Sequence, residues 1–144
     1  MSAFDSLARV HNWALNEKRQ KLAGLEKLAA NMQRDLEELE KGLENEGRSA
    51  AESIEGTVAY PAFVAAALER RKRLRESIGK LAQAVERTRE EVHEAYQEVK
   101  KFEFAHEDQL RREADERNQR ERQDLDELGV NLYERGRRSA KDHS

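Results

Sequence analysis

The chain contains no cysteine, a single proline and few aromatic residues, and each scarcity removes a class of protein. Without Cys there is no disulfide framework, no thiol nucleophile and no thiolate metal site. With Pro only at position 61, long stretches are free of the strongest helix breaker. No apolar run approaches the roughly 20 residues that a membrane span requires. The opening Met1-Ser2-Ala3-Phe4-Asp5-Ser6 lacks the basic and apolar stretches of a secretory leader, so the cytoplasm is the expected compartment, with no direct membrane insertion. A dominant sign of charge is missing too. The 27 Lys and Arg stand against 30 Asp and Glu, a net −3 over 144 residues, which gives no general attraction to nucleic acid or anionic lipid.

What is abundant is charge of both signs, at 40% of the residues beside 37% hydrophobic. That mixture belongs to long exposed helices rather than compact globules. Disorder is the obvious rival for so polar a chain, and the balanced charges and regular spacing of the apolar residues argue against it. From Leu22 they run Leu25, Ala29, Met32, Leu36, Leu39 and Leu43, alternating three- and four-residue steps, the heptad pattern of a coiled-coil seam. Extended backward, the seam meets Lys18, Leu15, His11, Ala8 and Phe4, with Val10 and Trp13 to one side. After Gly47, read as a helix end, and Pro61, read as a first helical position, it restarts at Val64. It continues through Ala67, Arg71, Leu74, Ile78, Leu81, Val85, Thr88, Val92, Ala95 and Val99 to Phe102.

The expected fold is therefore all-α, a single coiled-coil domain over residues 1–144. It is an antiparallel two-helix coiled-coil hairpin with a helix over about 4–46, a bend over about 47–60, a longer helix over about 61–136 and a flexible tail over 137–144. Placing the bend there makes facing positions sum to about 108. The basic run Glu69-Arg70-Arg71-Lys72-Arg73-Leu74-Arg75 then lies opposite Asp35, Glu37, Glu38 and Glu40. At 1.5 Å per residue the helices are roughly 65 and 115 Å long, so the second overhangs the first. On the overhang the seam register lands on polar residues. Apolar spacing returns at Leu125, Leu128 and Leu132, beside Val130 and Tyr133, as a docking surface or a frayed end.

Catalytic patterns are wanting. No Gly-rich phosphate loop or nucleophile elbow occurs, and a two-helix rod has no cavity to exclude water, so no enzyme and no cofactor are expected. The pairs Glu90 with His93 and Glu103 with His106 have the Glu-x-x-His spacing of di-iron bundles. Both lie on one helix, about 20 Å apart, and read as surface histidines rather than metal ligands. The cluster at Arg70 to Arg75 has an acidic counterpart on the first helix and no aromatic neighbours, which argues against nucleic-acid binding. Among the aromatics, Trp13 and Phe102 are explained about as well by packing as by binding, and Tyr60 and Phe63 bracket Pro61. Phe104 and Tyr133 have the weakest packing explanation and are the better partner candidates.

Leu7-Ala8-Arg9-Val10-His11-Asn12-Trp13 followed by Glu17-Lys18-Arg19, a short polar bend, Tyr60-x-x-Phe63 and a longer charged second helix together resemble the FliJ family over nearly the whole chain. The resemblance implies a non-enzymatic component of the bacterial flagellar type III export apparatus, shaped like the stalk subunit of rotary ATPases. It further implies that the coiled coil enters the export ATPase ring, contacts the membrane export gate and escorts export chaperones or substrates. Such a protein is cytoplasmic and associates peripherally with the inner face of the membrane at the flagellar base. By position, Phe63 and Val64 match the family's gate-contacting segment, with Ala67 where a larger aliphatic is common. The alternatives are the injectisome stalk protein and a generic dimerising coiled coil joined through Leu125, Leu128 and Leu132.

Overall fold

The computed structural model describes residues 2–142; the expected tail positions 143 and 144 lie outside the described residues. Two α-helices account for nearly everything: α1 spans Ala3–Ala50 and α2 spans Ile54–Asp142. No strand occurs among the described residues. The start of α1 is written in its first four residues. Ser2 Oγ accepts from the Asp5 amide at 3.2 Å, and the Asp5 carboxylate accepts from the Ser2 amide at 3.3 Å. This reciprocal box satisfies two amides that the first turn would otherwise leave unpaired.

The chain divides into two units, one ending at Val99 and the other beginning at Lys100. In the first, α1 and the early part of α2 lie antiparallel along the heptad seam. Every expected seam position from Phe4 to Leu43 and from Val64 to Val99 is buried or half-buried. The most enclosed are Leu15, Leu36, Ala67, Leu81, Val85, Thr88 and Val99. The Thr88 hydroxyl is tolerated there because it donates to the Ala84 carbonyl one turn back, at 2.8 Å.

Ion pairs between the helices fix the register. Lys18 and Lys21 both bond Glu91, at 3.1 and 3.7 Å, Glu26 bonds Arg89 at 3.4 Å, and Glu40 bonds Arg75 at 3.2 Å. The paired positions sum to 109, 112, 115 and 115, at or a little above the 108 expected for facing seam positions. Flanking partners add to slightly more because side chains lean toward the N-terminus of their own helix, so two antiparallel neighbours lean toward each other. The opposed charge blocks meet through Arg75. Arg73 turns instead to Glu69 on its own helix.

The connection differs from the expectation. It occupies residues 51–53, whereas a bend over 47–60 was expected; α1 runs four residues past 46 and α2 begins at Ile54 rather than 61. Gly47 is no helix end, and among the described residues none has a positive φ. A Cβ on Gly47 would stand 2.9 Å from the Tyr60 hydroxyl, and one on Gly56 would stand 3.0 Å from the Ala50 Cα. Both glycines therefore serve close approach of the helices. Ser53 starts α2 by accepting from the Gly56 amide at 3.0 Å, and Thr57 Oγ1 lies 2.8 Å from the carbonyls of both Ala50 and Ser53. Pro61 consequently sits inside α2, which forgoes one ladder bond there.

In the second unit α2 stays helical to Asp142, beyond the 136 expected. Arg135, Arg137, Arg138 and Lys141 suit a helix C-terminus, where cations meet the negative end of the dipole. Side chains from 115 to 141 are all exposed.

Candidate partner-binding surfaces

The expected contact residues divide between the two units. In the first, Phe63 is 40% exposed and lines a shallow cleft of about 270 Å³ at the bend, with Ala50, Gly56, Ala59 and Tyr60. Val64 is half-buried on the seam and Ala67 is buried there. The structure thus presents Phe63 outward and turns its neighbour inward. Ala67, where a larger aliphatic is common, fills a seam position instead of a surface.

Two residues at the bend escaped the sequence reading. Ile54 and Val58 are 85% and 76% exposed, one turn apart on the outer face of α2 with Ala62 and Ala65, which are also exposed. The available signal was compositional: residues 54–65 carry one charge, Glu55, in a chain otherwise dense with them. On α1, Leu7, Val10 and Trp13 are exposed too. Packing therefore does not account for Trp13.

In the second unit Phe104, Leu125, Leu128, Leu132 and Tyr133 are all more than half exposed. Leu125, Leu128 and Leu132 share one helix face by their three- and four-residue spacing, with Tyr133 beside it. Around them charges alternate in sign, and Arg112 with Asp108 at 2.9 Å is an exposed pair within the helix.

The Glu91 carboxylate departs from its ordinary range. Glu91 is held below the usual Glu value of 4.5, chiefly by the hydrogen bond and charge of Lys18 and then by the charge of Lys21. Lys18 interrupts the apolar seam, and Glu91 is where its ammonium goes. Of the Glu-x-x-His residues, two are engaged otherwise: the His93 ring bonds the Gln97 amide at 3.0 Å, and Lys100 pairs with Glu103 at 3.2 Å. Among the described residues no three His, Cys, Asp or Glu side chains are grouped to hold a metal ion. No helix among them is long and apolar enough to cross a membrane.

Two long helices closed on a heptad seam, with apolar side chains left on outer faces, define an all-α helical hairpin of the coiled-coil class. The sequence model of the family described as Flagellar FliJ protein matches residues 1–138, and the chain belongs to the FliJ family. No curated protein and no solved structure matches it. Membership makes it a component of the flagellar export apparatus.

Proposed function

We propose that this export-apparatus component is a stalk that couples the export ATPase ring to the membrane export gate, working at the cytoplasmic face of the inner membrane without making or breaking bonds. The observation that carries the reading is the contrast between the units. One closes on a continuous apolar seam, while the helix beyond Lys100 leaves Leu125, Leu128 and Leu132 outward amid balanced charge. A helix that must sit in a ring without being glued to it needs such a surface, mostly polar with a small apolar contact. Phe63, Ile54 and Val58 at the bend are the residues proposed for the gate, and Phe104 and Tyr133 join the leucines for the ATPase. Coupling follows if an asymmetric rod contacts ring subunits unequally, so that each subunit's state biases its neighbours and the gate. Escort of export chaperones or substrates is a further role for the exposed surfaces.

Truncation after about residue 105 tests this. The truncated chain should keep its paired helices by circular dichroism but lose binding to purified export ATPase, and cells carrying it should be non-motile. Full ATPase binding by the folded, truncated chain would overturn the role given to the C-terminal unit.

A further inference from the structure

The two halves of a polar seam device in the hairpin recur, both on one helix, in the C-terminal unit. In the hairpin, Leu15-x-x-Lys18-x-x-Lys21 on α1 meets Glu91-Val92-x-x-Ala95 on α2. The buried Leu15 anchors it, while Lys18 in the seam and Lys21 on its flank converge on Glu91. The C-terminal unit carries Leu132-x-x-Arg135-x-x-Arg138 and, ahead of it on the same helix, Asp124-Leu125-x-x-Leu128. The spacings are the same: apolar, cation, cation on one side, and acid, apolar, apolar on the other.

We infer that the helix face bearing Leu125, Leu128 and Leu132 is a self-association surface, on which a second copy of this chain docks antiparallel. A single helix cannot bring its own halves together, because they follow one another along it. Two antiparallel copies bring each half against the complementary half of the other, twice, about a two-fold axis. Setting Leu128 against Leu132 of the second copy places Arg135 and Arg138 relative to its Asp124 as Lys18 and Lys21 stand to Glu91. Asp124 and Arg138 occupy the same flank of the stripe, and antiparallel helices bring like flanks together. A parallel pair would bring unlike flanks together, setting Asp124 beside Gly129 of the second copy and away from its Arg135 and Arg138, so the charges select the orientation.

The contact is small, two leucine layers closed by charges, and belongs with weak and transient interfaces. It goes beyond the stalk reading and uses the same leucines. The two occupants exclude each other, so the dimer is the form that waits for a ring.

Analytical ultracentrifugation of the full chain, without ATPase, tests it. The wild-type protein should pass from monomer to dimer as concentration rises. Asp124→Arg, and separately Arg135→Glu with Arg138→Glu, should each weaken association at least about tenfold, since like charges then meet. The triple variant carrying all three changes should dimerise again, and circular dichroism should show all of them helical. A wild-type chain that stays monomeric overturns the inference, as does a dimer indifferent to these reversals, which would place the contact elsewhere. Because no ATPase is present, either failure leaves the stalk reading standing.

Discussion

Lys18 shows how one residue can break a pattern without breaking the fold. An ammonium at a seam position costs free energy unless it escapes or finds a partner. Its four-carbon stem lies along the seam while its head reaches Glu91 at 3.1 Å. The consequence appears on the acid. A carboxyl held below its ordinary value in the folded chain stabilises that state above the unfolded pKa, and the contribution disappears as pH falls through the folded value. Glu91 should therefore titrate below the usual Glu value of 4.5 when its side-chain carboxyl shift is followed by NMR. Lys18→Gln should raise its midpoint more than Lys21→Gln does, because the Lys18 hydrogen bond is the largest cause and Lys21 acts mainly through charge. Equal effects of the two substitutions would mean that charge alone holds Glu91 down.

At the scale of the helix, apolar spacing made nearly all of the pairing legible. The seam from Phe4 to Leu43 and from Val64 to Val99 can be read from three- and four-residue steps because burial in a two-helix rod has only one direction to follow. The bend was misplaced for an equally physical reason. Gly47, Gly56 and Pro61 are the ordinary signs of interruption, yet a glycine inside a helix also lets another backbone or ring come close. Only the partner across the hairpin, Tyr60 for Gly47 and Ala50 for Gly56, reveals which meaning applies. The same error hid the exposed Ile54 and Val58 inside a supposed loop, whereas Leu125, Leu128, Leu132, Tyr133 and Phe104 were legible because no seam position could absorb them. The two kinds of glycine should separate on substitution. Gly79→Ala meets nothing within 4 Å and should stabilise by about 1 kcal/mol through helix propensity. Gly56→Ala must push the Ala50 backbone away and should lower stability, with thermal melting as the measurement. A gain at Gly56 matching that at Gly79 would remove close approach as its reason for being glycine.

The whole chain combines two ways of keeping a helix folded. Residues up to Val99 hold α1 and α2 together by a shared apolar seam, so their amides open only when that seam opens. From about residue 107 on, where nearly every side chain is exposed, α2 has its own ladder, its strong helix-forming Glu, Arg, Gln and Ala, and intrahelical pairs such as Arg112 with Asp108. Exposed pairs of that kind contribute only tenths of a kcal/mol each, and a helix without tertiary packing is marginal even when long. Hydrogen exchange followed by mass spectrometry in dilute solution should consequently show two populations: slow amides between about 15 and 43 and between 67 and 99, and fast ones between 115 and 141. The C-terminal amides should then slow selectively around residues 121–139 as the protein is concentrated, because the second copy supplies the packing that this helix lacks. Uniform protection along α2 in dilute solution would mean that the C-terminal helix is stabilised by something other than a partner, and the division of labour between seam and surface would fail with it.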